Sequence, residues 1–304
     1  MHNTSQLMIT DISWKYKGNE NYIPQMILLD GKNKKRIIEL SNFKFDFKLS
    51  EEKYCTGYYL DDGWRECPLK SIITERSHTQ CQFCENKQGF KSAFLFGQKP
   101  NENMKKYLAQ KHFIYLAYFP SGIIKVGTAS EQRKFIRPIE QDALLYLYIA
   151  ESDGFNIQRL EHSISSSLSI TEFVSGRVKF KRLGHKINKT FGVKALMDNY
   201  KRIYAKFSNN DDFKDWLYEE NQLKINDISC NREIFYPEKY EKHIKTEEYN
   251  IYGEFKGIRG RYLLVENYEN IFVFDVRYLI GRIIIGDTGE KRYERSNDGQ
   301  IGLF

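Results

Sequence analysis

Four of the five cysteines lie in one short part of the sequence, at Cys55, Cys67, Cys81 and Cys84. Cysteine thiolates are preferred zinc ligands, four of them complete a tetrahedral site, and a Cys-x-x-Cys pair supplies two neighbouring ligands. Residues 51–90 also contain few apolar side chains, so a bound metal would supply stabilisation that the segment lacks. The clustering argues against four unrelated cysteines. We therefore expect a structural zinc ion that leaves no ligand position open for catalysis.

Two further residues bear on this zinc site. His78 lies between the cysteines and is an alternative ligand, although we favour all four sulfurs, and the distant Cys230 is expected to be a buried or idle thiol.

The N-terminal sequence lacks the basic and apolar regions of a secretion signal, and no apolar run approaches the ~20 residues of a membrane span. We therefore expect a cytoplasmic protein without a membrane partner, whose thiols stay reduced.

The formal net charge of +7 is concentrated in one segment. Residues 171–206 contain ten lysines and arginines against only Glu172 and Asp198, and the rest of the chain is close to neutral. Such a concentration indicates an anionic partner, most often nucleic acid, and the alternative is a solvated basic helix face. The residues that we expect to contact phosphates are Arg177, Lys179, Lys181, Arg182, Lys186 and Lys189.

Hydrophobic patterning predicts β-sheet at both ends of the chain. Residues 6–50 alternate and are rich in β-forming residues, with a hairpin turn at Asp30-Gly31. The C-terminal part returns to strand patterns with glycine-rich turns, after a polar stretch that is typical of a linker with a helical turn. We expect an N-terminal sheet with a zinc-ribbon module and a small C-terminal sheet or barrel.

The middle of the chain combines short strands with helices. Residues 112–119 and 122–127 are predicted strands, and the spacing of apolar residues predicts helices over 156–168 and 189–207. Residues 138–150 begin with a helical pattern, but their apolar end could instead be a third strand. The overall prediction is an α+β fold with domains over residues 1–105, 106–207 and 208–304.

Four residues of this central part follow a known order. Ile114-Tyr115 precedes a Pro-Ser-Gly turn, Lys125-Val126-Gly127 follows it, and Arg137 and Glu161 come later. The pattern resembles the GIY-YIG nuclease superfamily, in which two strands carry the triplets and a following arginine and a helical glutamate complete the site. The resemblance implies a GIY-YIG-like α/β core with Tyr115, Lys125, Arg137 and Glu161 as catalytic residues. It also implies that Glu161 binds Mg²⁺ or Mn²⁺.

A second resemblance covers nearly the whole chain. The sequence is similar to a bacterial family of unknown function that combines a four-cysteine motif, a strand pair with Lys-Val-Gly and a glycine-rich β segment. The similar stretches are YCTGYY, Cys67-Pro68, Cys81-x-x-Cys84, KVG, RPIEQDA, QRLEH and GIRGRYLLV. Their order and spread make this match more specific than the short GIY-YIG triplets.

The central part also departs from these patterns. Lys125 stands where the second triplet has tyrosine, and Pro138 stands where the second family has tryptophan. A residue before proline is disfavoured in helical conformation, so we expect Arg137 to lie just outside a helix. The lysine substitution leaves open whether catalysis is altered or lost.

Phosphodiester hydrolysis requires a metal to neutralise phosphoryl oxygens, a base to activate water, and a cation near the transition state. A single carboxylate such as Glu161 suits Mg²⁺, which keeps several waters. Tyr115 could deprotonate water if its pKa were lowered, or could orient it, and Lys125 could hold a phosphate or share the base role. His162 and His185 lie nearby in sequence without a supporting spacing.

Each of these residues also has an alternative structural interpretation. Tyr115 would belong to the core, Glu161 would form a salt bridge with Arg137, and Lys125 would be an exposed strand residue. The leading functional expectation is a Mg²⁺-dependent endonuclease that acts on DNA rather than RNA. The alternatives are a catalytically inactive, zinc-containing nucleic-acid-binding protein of GIY-YIG-like fold, and an interaction scaffold that binds no nucleic acid.

Overall fold

The computed structural model describes residues 7–19, 21–32, 34–60, 62–75, 77–89, 99–237, 242–243 and 250–286. The chain forms two compact units. The split unit contains residues 1–17, 21–91 and 232–304, and the central unit contains residues 18–20 and 92–231. Among the described residues, no helix combines the length and the apolar character that crossing a membrane requires.

The described elements make this a mixed α+β protein with several antiparallel sheets. The strands are β1 Leu7–Tyr16, β2 Tyr22–Leu29, β3 Lys35–Glu39, β4 Lys44–Leu49, β5 Tyr58–Leu60, β6 Gly63–Arg65, β7 Lys111–Tyr118, β8 Ile124–Ser130, β9 Leu145–Asp153, β10 Ile225–Asp227, β11 Lys242–His243, β12 Asn250–Arg259, β13 Tyr262–Asn267, β14 Asn270–Asp275 and β15 Ile283–Gly286. The α-helices are α1 Gln82–Gln88, α2 Glu102–Leu108, α3 Arg137–Glu140, α4 Gly154–Leu168, α5 Gly176–Lys181, α6 Lys189–Phe207 and α7 Val276–Leu279.

The main sheet of the split unit contains strands from both ends of the chain. Its order is β11-β14-β13-β12-β4-β15-β1-β2-β3, and β11 and β14 form its parallel pair. The predicted hairpin joins β2 to β3, and the Asp30 carboxylate accepts hydrogen bonds from the backbone N–H groups of Lys32 and Lys34, both at 2.9 Å. Since β4 lies between β12 and β15, segments of the first and third predicted domains are continuous in one sheet.

The central unit contains a four-stranded antiparallel sheet with the order β10-β9-β7-β8. The helices predicted over 156–168 and 189–207 are confirmed as α4 and α6, and the apolar end of 138–150 is indeed a strand, β9. Both helices contribute to the core on the sheet, because Ile157, Leu160 and Ile164 of α4 and Leu196 and Ile203 of α6 are fully buried. The sheet and α4 thereby bring Tyr115, Lys125 and Glu161 onto neighbouring elements.

One local prediction is wrong. Arg137 does not precede a helix but is the first residue of the one-turn helix α3, with Pro138 at its second position. Proline is tolerated there because the N–H groups of a first helical turn have no partner within the helix, so the missing N–H costs no hydrogen bond. The preference that proline imposes on the preceding residue is therefore outweighed at this site.

The start of β7 contains a buried histidine. His112 is 2% exposed, and its Nδ1 lies 2.9 Å from the Gln110 carbonyl oxygen. A carbonyl oxygen only accepts, so Nδ1 carries the proton of the neutral ring, and Nε2 is buried without a hydrogen bond to any described residue. Burial lowers the pKa of His112 below its usual 6.5. The neutral side chain therefore favours the folded state above pH 6.5, and that contribution is lost as the pH falls toward the lowered pKa.

We expect His112→Asn to reduce the acid sensitivity of folding. Asparagine does not titrate, and its amide N–H can still donate to the Gln110 carbonyl. The melting temperature of the wild type should fall more than that of the variant between about pH 7.5 and about pH 5.5. Thermal melts followed by circular dichroism provide the measurement, and parallel decreases in both proteins would contradict the assignment.

Candidate functional site

The four clustered cysteines of the split unit meet in space. Their Sγ atoms all lie within 4.8 Å of one another, and those of Cys67 and Cys81 are 3.8 Å apart. Tetrahedral coordination with a Zn–S bond of about 2.3 Å places sulfurs about 3.8 Å apart. The four thiols could therefore hold one metal ion without a large rearrangement.

Short elements hold these sulfurs in place. Cys67 follows the hairpin of β5 and β6, Cys81 is the N-cap of α1, and Cys84 lies in the first turn of that helix. The Cys81 backbone N–H points at the Cys55 Sγ at 3.2 Å. A hydrogen bond to a ligand sulfur would help to hold that ligand in orientation.

Burial makes thiolates unfavourable here in the absence of a cation. It raises the pKa of Cys55 to about 11 and raises that of Cys84 well above its usual range. For Cys81, burial also raises the pKa, but hydrogen bonds from the Cys84 backbone and Ser71 lower it to about 7. A metal ion would compensate the buried charge of four thiolates, because ligand deprotonation and metal binding are coupled.

The other candidate zinc ligands lie outside this set. His78 has a side chain that is 40% exposed, and its Nε2 lies 3.1 Å from a Glu75 carboxylate oxygen. Cys230 is exposed in the central unit, where its Sγ lies 2.8 Å from the Lys189 Nζ. Among the described residues, the cysteine cluster is the one group of three or more histidine, cysteine, aspartate or glutamate side chains whose ligand atoms lie close enough together to hold one metal ion.

In the central unit, Gln141 connects several predicted site residues. Its Oε1 accepts hydrogen bonds from the Tyr115 hydroxyl at 2.9 Å and from the Lys125 Nζ at 2.6 Å. Its backbone oxygen accepts one from the Lys179 Nζ at 2.6 Å. Sequence reasoning missed Gln141 as a site residue, and its place in the RPIEQDA stretch directly after α3 was the available signal.

Tyr115 is completely buried, as the core interpretation of this residue requires. Its ring lies against Gly127 on β8, where an added Cβ would come within 2.6 Å of the tyrosine oxygen. Gly127 therefore makes room for this ring, not for a ligand. Burial raises the pKa of Tyr115, which is opposite to the shift that a base requires. A side chain without solvent exposure neither deprotonates nor orients a water molecule directly, so neither predicted role toward water fits this environment. The hydroxyl instead donates to the Gln141 side chain.

Lys125 and Glu161 lie on facing elements and influence each other. Lys125 on β8 is 8% exposed, which contradicts the alternative interpretation of this residue as an exposed strand lysine. Glu161 on α4 is half-buried. Burial lowers the pKa of Lys125 to about 8, and the Glu161 charge opposes this shift. Burial likewise raises the pKa of Glu161 to about 7, against the opposing charge of Lys125. The two groups therefore act on each other electrostatically as a partly buried pair, although no ion pair of 4.0 Å or less joins them within the described part of the chain.

Arg137 contributes to the same electrostatic environment. Its positive charge acts on the pKa of Tyr115, Lys125 and Glu161, so the structure brings all four predicted catalytic residues into one neighbourhood. Within the described part of the chain, no ion pair of 4.0 Å or less joins Arg137 to Glu161, contrary to the salt-bridge alternative. The Arg137 guanidinium therefore keeps its donors available near the pair.

The predicted phosphate-binding residues differ in their surroundings. Lys179 is half-buried and lies 5.2 Å from the centre of the Phe119 ring, in addition to its bond with Gln141. Lys189 is bound to the Asp227 carboxylate at 2.7 Å, and Arg182 contacts His185 at 3.1 Å. The other three are exposed, and none of them forms a salt bridge to a described residue; they are Arg177, Lys181 and Lys186.

Comparisons with known proteins leave the function open. Neither the curated proteins nor the solved structures contain a match. A family model described as "Protein of unknown function (DUF2797)" matches residues 69–284, more than two-thirds of the chain, and assigns no nuclease activity. The matched region includes Cys81, Cys84 and the whole sheet of the central unit. The chain therefore belongs to the DUF2797 family, whose function is unknown.

Proposed function

We propose that the central unit hydrolyses phosphodiester bonds in nucleic acid, with DNA favoured over RNA. The observation that carries this proposal is the Lys125–Glu161 pair, which shares a neighbourhood with Arg137 and lies next in the chain to the basic segment 171–206. The strand order supports the proposal as well. In the sheet β7 lies between β8 and β9, and in the chain α4 follows β9, an arrangement that suits a GIY-YIG-like core.

The proposed division of labour differs from the one that the resemblance implies. The buried phenol of Tyr115 does not act as the base, but its hydroxyl fixes the Gln141 side chain, which in turn holds the Lys125 Nζ. With a pKa of about 8, Lys125 is partly unprotonated near neutral pH and can accept a proton from water. Arg137 supplies positive charge for the phosphoryl oxygens.

A divalent cation completes this proposal. Burial and the negative charge of Glu172 both disfavour ionisation of Glu161, so a nearby cation would stabilise its carboxylate. Glu161, with Glu172 in the same environment, would hold Mg²⁺ or Mn²⁺, since these ions need only one or two carboxylates in addition to water. The ion would neutralise charge on the phosphoryl oxygens.

The cysteine cluster is proposed to bind zinc in a structural role. Its distances suit four Zn–S bonds, and four thiolates leave no position for substrate. In this proposal the zinc ion stabilises residues around the β5–β6 hairpin and α1 and takes no part in hydrolysis.

A second candidate function is nucleic-acid binding without cleavage. The complete burial of Tyr115 and the lysine at position 125 favour it, because the family resemblance would place the base and its partner at these two positions. Incubating labelled DNA with the protein in Mg²⁺ or in EDTA separates the two functions. Mg²⁺-dependent product supports hydrolysis, whereas salt-sensitive binding without product supports the second function.

Both functions predict that the exposed cations contact phosphates. We expect the triple variant Arg177→Gln/Lys181→Gln/Lys186→Gln to bind DNA more weakly and to lower the slope of log K against log salt by about 2 to 3. Fluorescence anisotropy at several salt concentrations measures this slope. The matched control, Lys99→Gln/Lys105→Gln/Lys106→Gln, removes three other exposed charges of the same unit. Equal slopes for the two variants would contradict the assignment.

A further inference from the structure

The Phe173 side chain of the central unit is exposed to solvent. It is 74% exposed, the highest value among the large hydrophobic side chains that the structure describes. Its ring makes no aromatic or cation–π contact with a described residue, although a solvated phenylalanine ring gains free energy wherever it can be covered. The ring is therefore accessible to a partner.

The backbone around Phe173 is well anchored. The Thr171 hydroxyl donates to the Phe173 carbonyl oxygen at 2.8 Å and lies 3.1 Å from the Phe173 backbone N–H, which donates to it. The Thr171 carbonyl oxygen accepts from the Val126 N–H at 3.0 Å, and Val174 is buried. The backbone that carries the ring is thus fixed, so little backbone conformational entropy remains to be lost when the ring binds a partner.

This turn lies beside the proposed hydrolytic pair. Thr171 forms a parallel bridge with Lys125 of β8, which is an edge strand. Phe173 therefore lies only two residues after the neighbour of a proposed site residue. The short helix α5 begins soon afterwards and carries the exposed cations Arg177 and Lys181. An aromatic face next to phosphate-binding cations is the combination by which proteins hold single-stranded nucleic acid, because the bases stack on the ring.

We infer that Phe173 is a stacking platform for an unpaired nucleobase, and that the preferred ligand of the central unit is single-stranded DNA. This inference rests on the proposed nucleic-acid function and names its substrate class. Bases within a duplex already stack on their neighbours, so their faces are not available to Phe173. Because every base has a π-face, stacking on Phe173 would favour single strands over duplexes but would not distinguish one base sequence from another.

The test compares three variants on two ligands. Fluorescence anisotropy with a labelled single-stranded oligonucleotide and with the same sequence as a duplex gives the affinities. We expect Phe173→Ala to weaken single-strand binding ~10-fold or more and to leave duplex binding nearly unchanged, while Phe173→Tyr retains affinity because its ring still stacks. Phe155→Ala, which removes another partly exposed ring of the same unit, serves as the control and should bind like the wild type.

The outcomes separate this inference from the function on which it rests. If the wild type binds DNA and Phe173→Ala binds the single strand equally well, the stacking platform is refuted and nucleic-acid binding stands. An equal loss on both ligands also refutes it, because the effect then has no strand preference. If the wild type binds neither ligand at low salt, the proposed function fails and the inference fails with it.

Discussion

Replacing Cys84 with serine is expected to remove the metal from the cysteine cluster and to unfold the segment around it. Cys84 is completely buried, and its Sγ is one of four that lie within 4.8 Å of one another. A serine hydroxyl stays protonated and is a poor zinc ligand. Among the described residues, this local core has one buried side chain besides the cysteines, Ile73, with Tyr58 partly buried against it, so apolar packing cannot replace the metal.

The expected size of this effect is large. Structural zinc sites bind with apparent free energies of about 10–16 kcal/mol, and a typical domain is stable by about 5–15 kcal/mol. We expect Cys84→Ser to lose close to one equivalent of zinc by elemental analysis. Limited proteolysis should then cut between β5 and α1, where the wild type resists cleavage.

Cys230→Ser is the matched control for this prediction. Its thiol is exposed in the central unit and lies outside the cluster, so metal content and protease resistance should stay at wild-type values. Wild-type protein that contains no zinc, or a Cys84→Ser variant as resistant as the wild type, would refute the structural zinc site.

The second large effect is expected from Glu161→Gln. This change keeps the shape of the side chain and removes the charge that is proposed to hold the catalytic cation. We expect Mg²⁺-dependent cleavage to fall by at least about 100-fold, because charge stabilisation of the transition state depends on that ion. Folding should survive, since burial already disfavours the ionised carboxylate at this position.

Two readouts distinguish this role from a structural one. DNA affinity in EDTA should be close to that of the wild type, while the response of cleavage to Mg²⁺ concentration should disappear. Glu102→Gln, a change at an exposed acid on α2, should leave both readouts unchanged. A Glu161→Gln variant that cleaves at the wild-type rate would exclude Glu161 as the residue that holds the metal.

The sequence predicts those parts of the fold that depend on local spacing. The cysteine cluster and helices α4 and α6 follow from Cys-x-x-Cys spacing and from apolar residues at helical intervals. The order of the large sheet does not follow in this way. Strand β4 pairs with β12 and β15, which lie about 200 residues or more further along the chain, and no local period encodes such pairing.

The candidate site shows the same division. The GIY-YIG resemblance predicts that Tyr115, Lys125, Arg137 and Glu161 form one site, and the structure shows that the charges of Arg137 and Glu161 act on the pKa values of Tyr115 and Lys125. The sequence left open whether Tyr115 is buried or catalytic, because its packing against Gly127 depends on the pairing of two strands. The role of Gln141 could not be predicted from its place in the RPIEQDA stretch, because it depends on three hydrogen bonds from residues on other elements, Tyr115, Lys125 and Lys179.

The most direct test of the central claim is a cleavage time course with end-labelled single-stranded DNA and zinc-loaded wild-type protein. Our proposal predicts product that accumulates in Mg²⁺ or Mn²⁺, stops on addition of EDTA, and depends on both Lys125 and Glu161. Intact DNA throughout the time course, under conditions in which anisotropy shows that the strand is bound, would contradict hydrolysis and leave binding as the function.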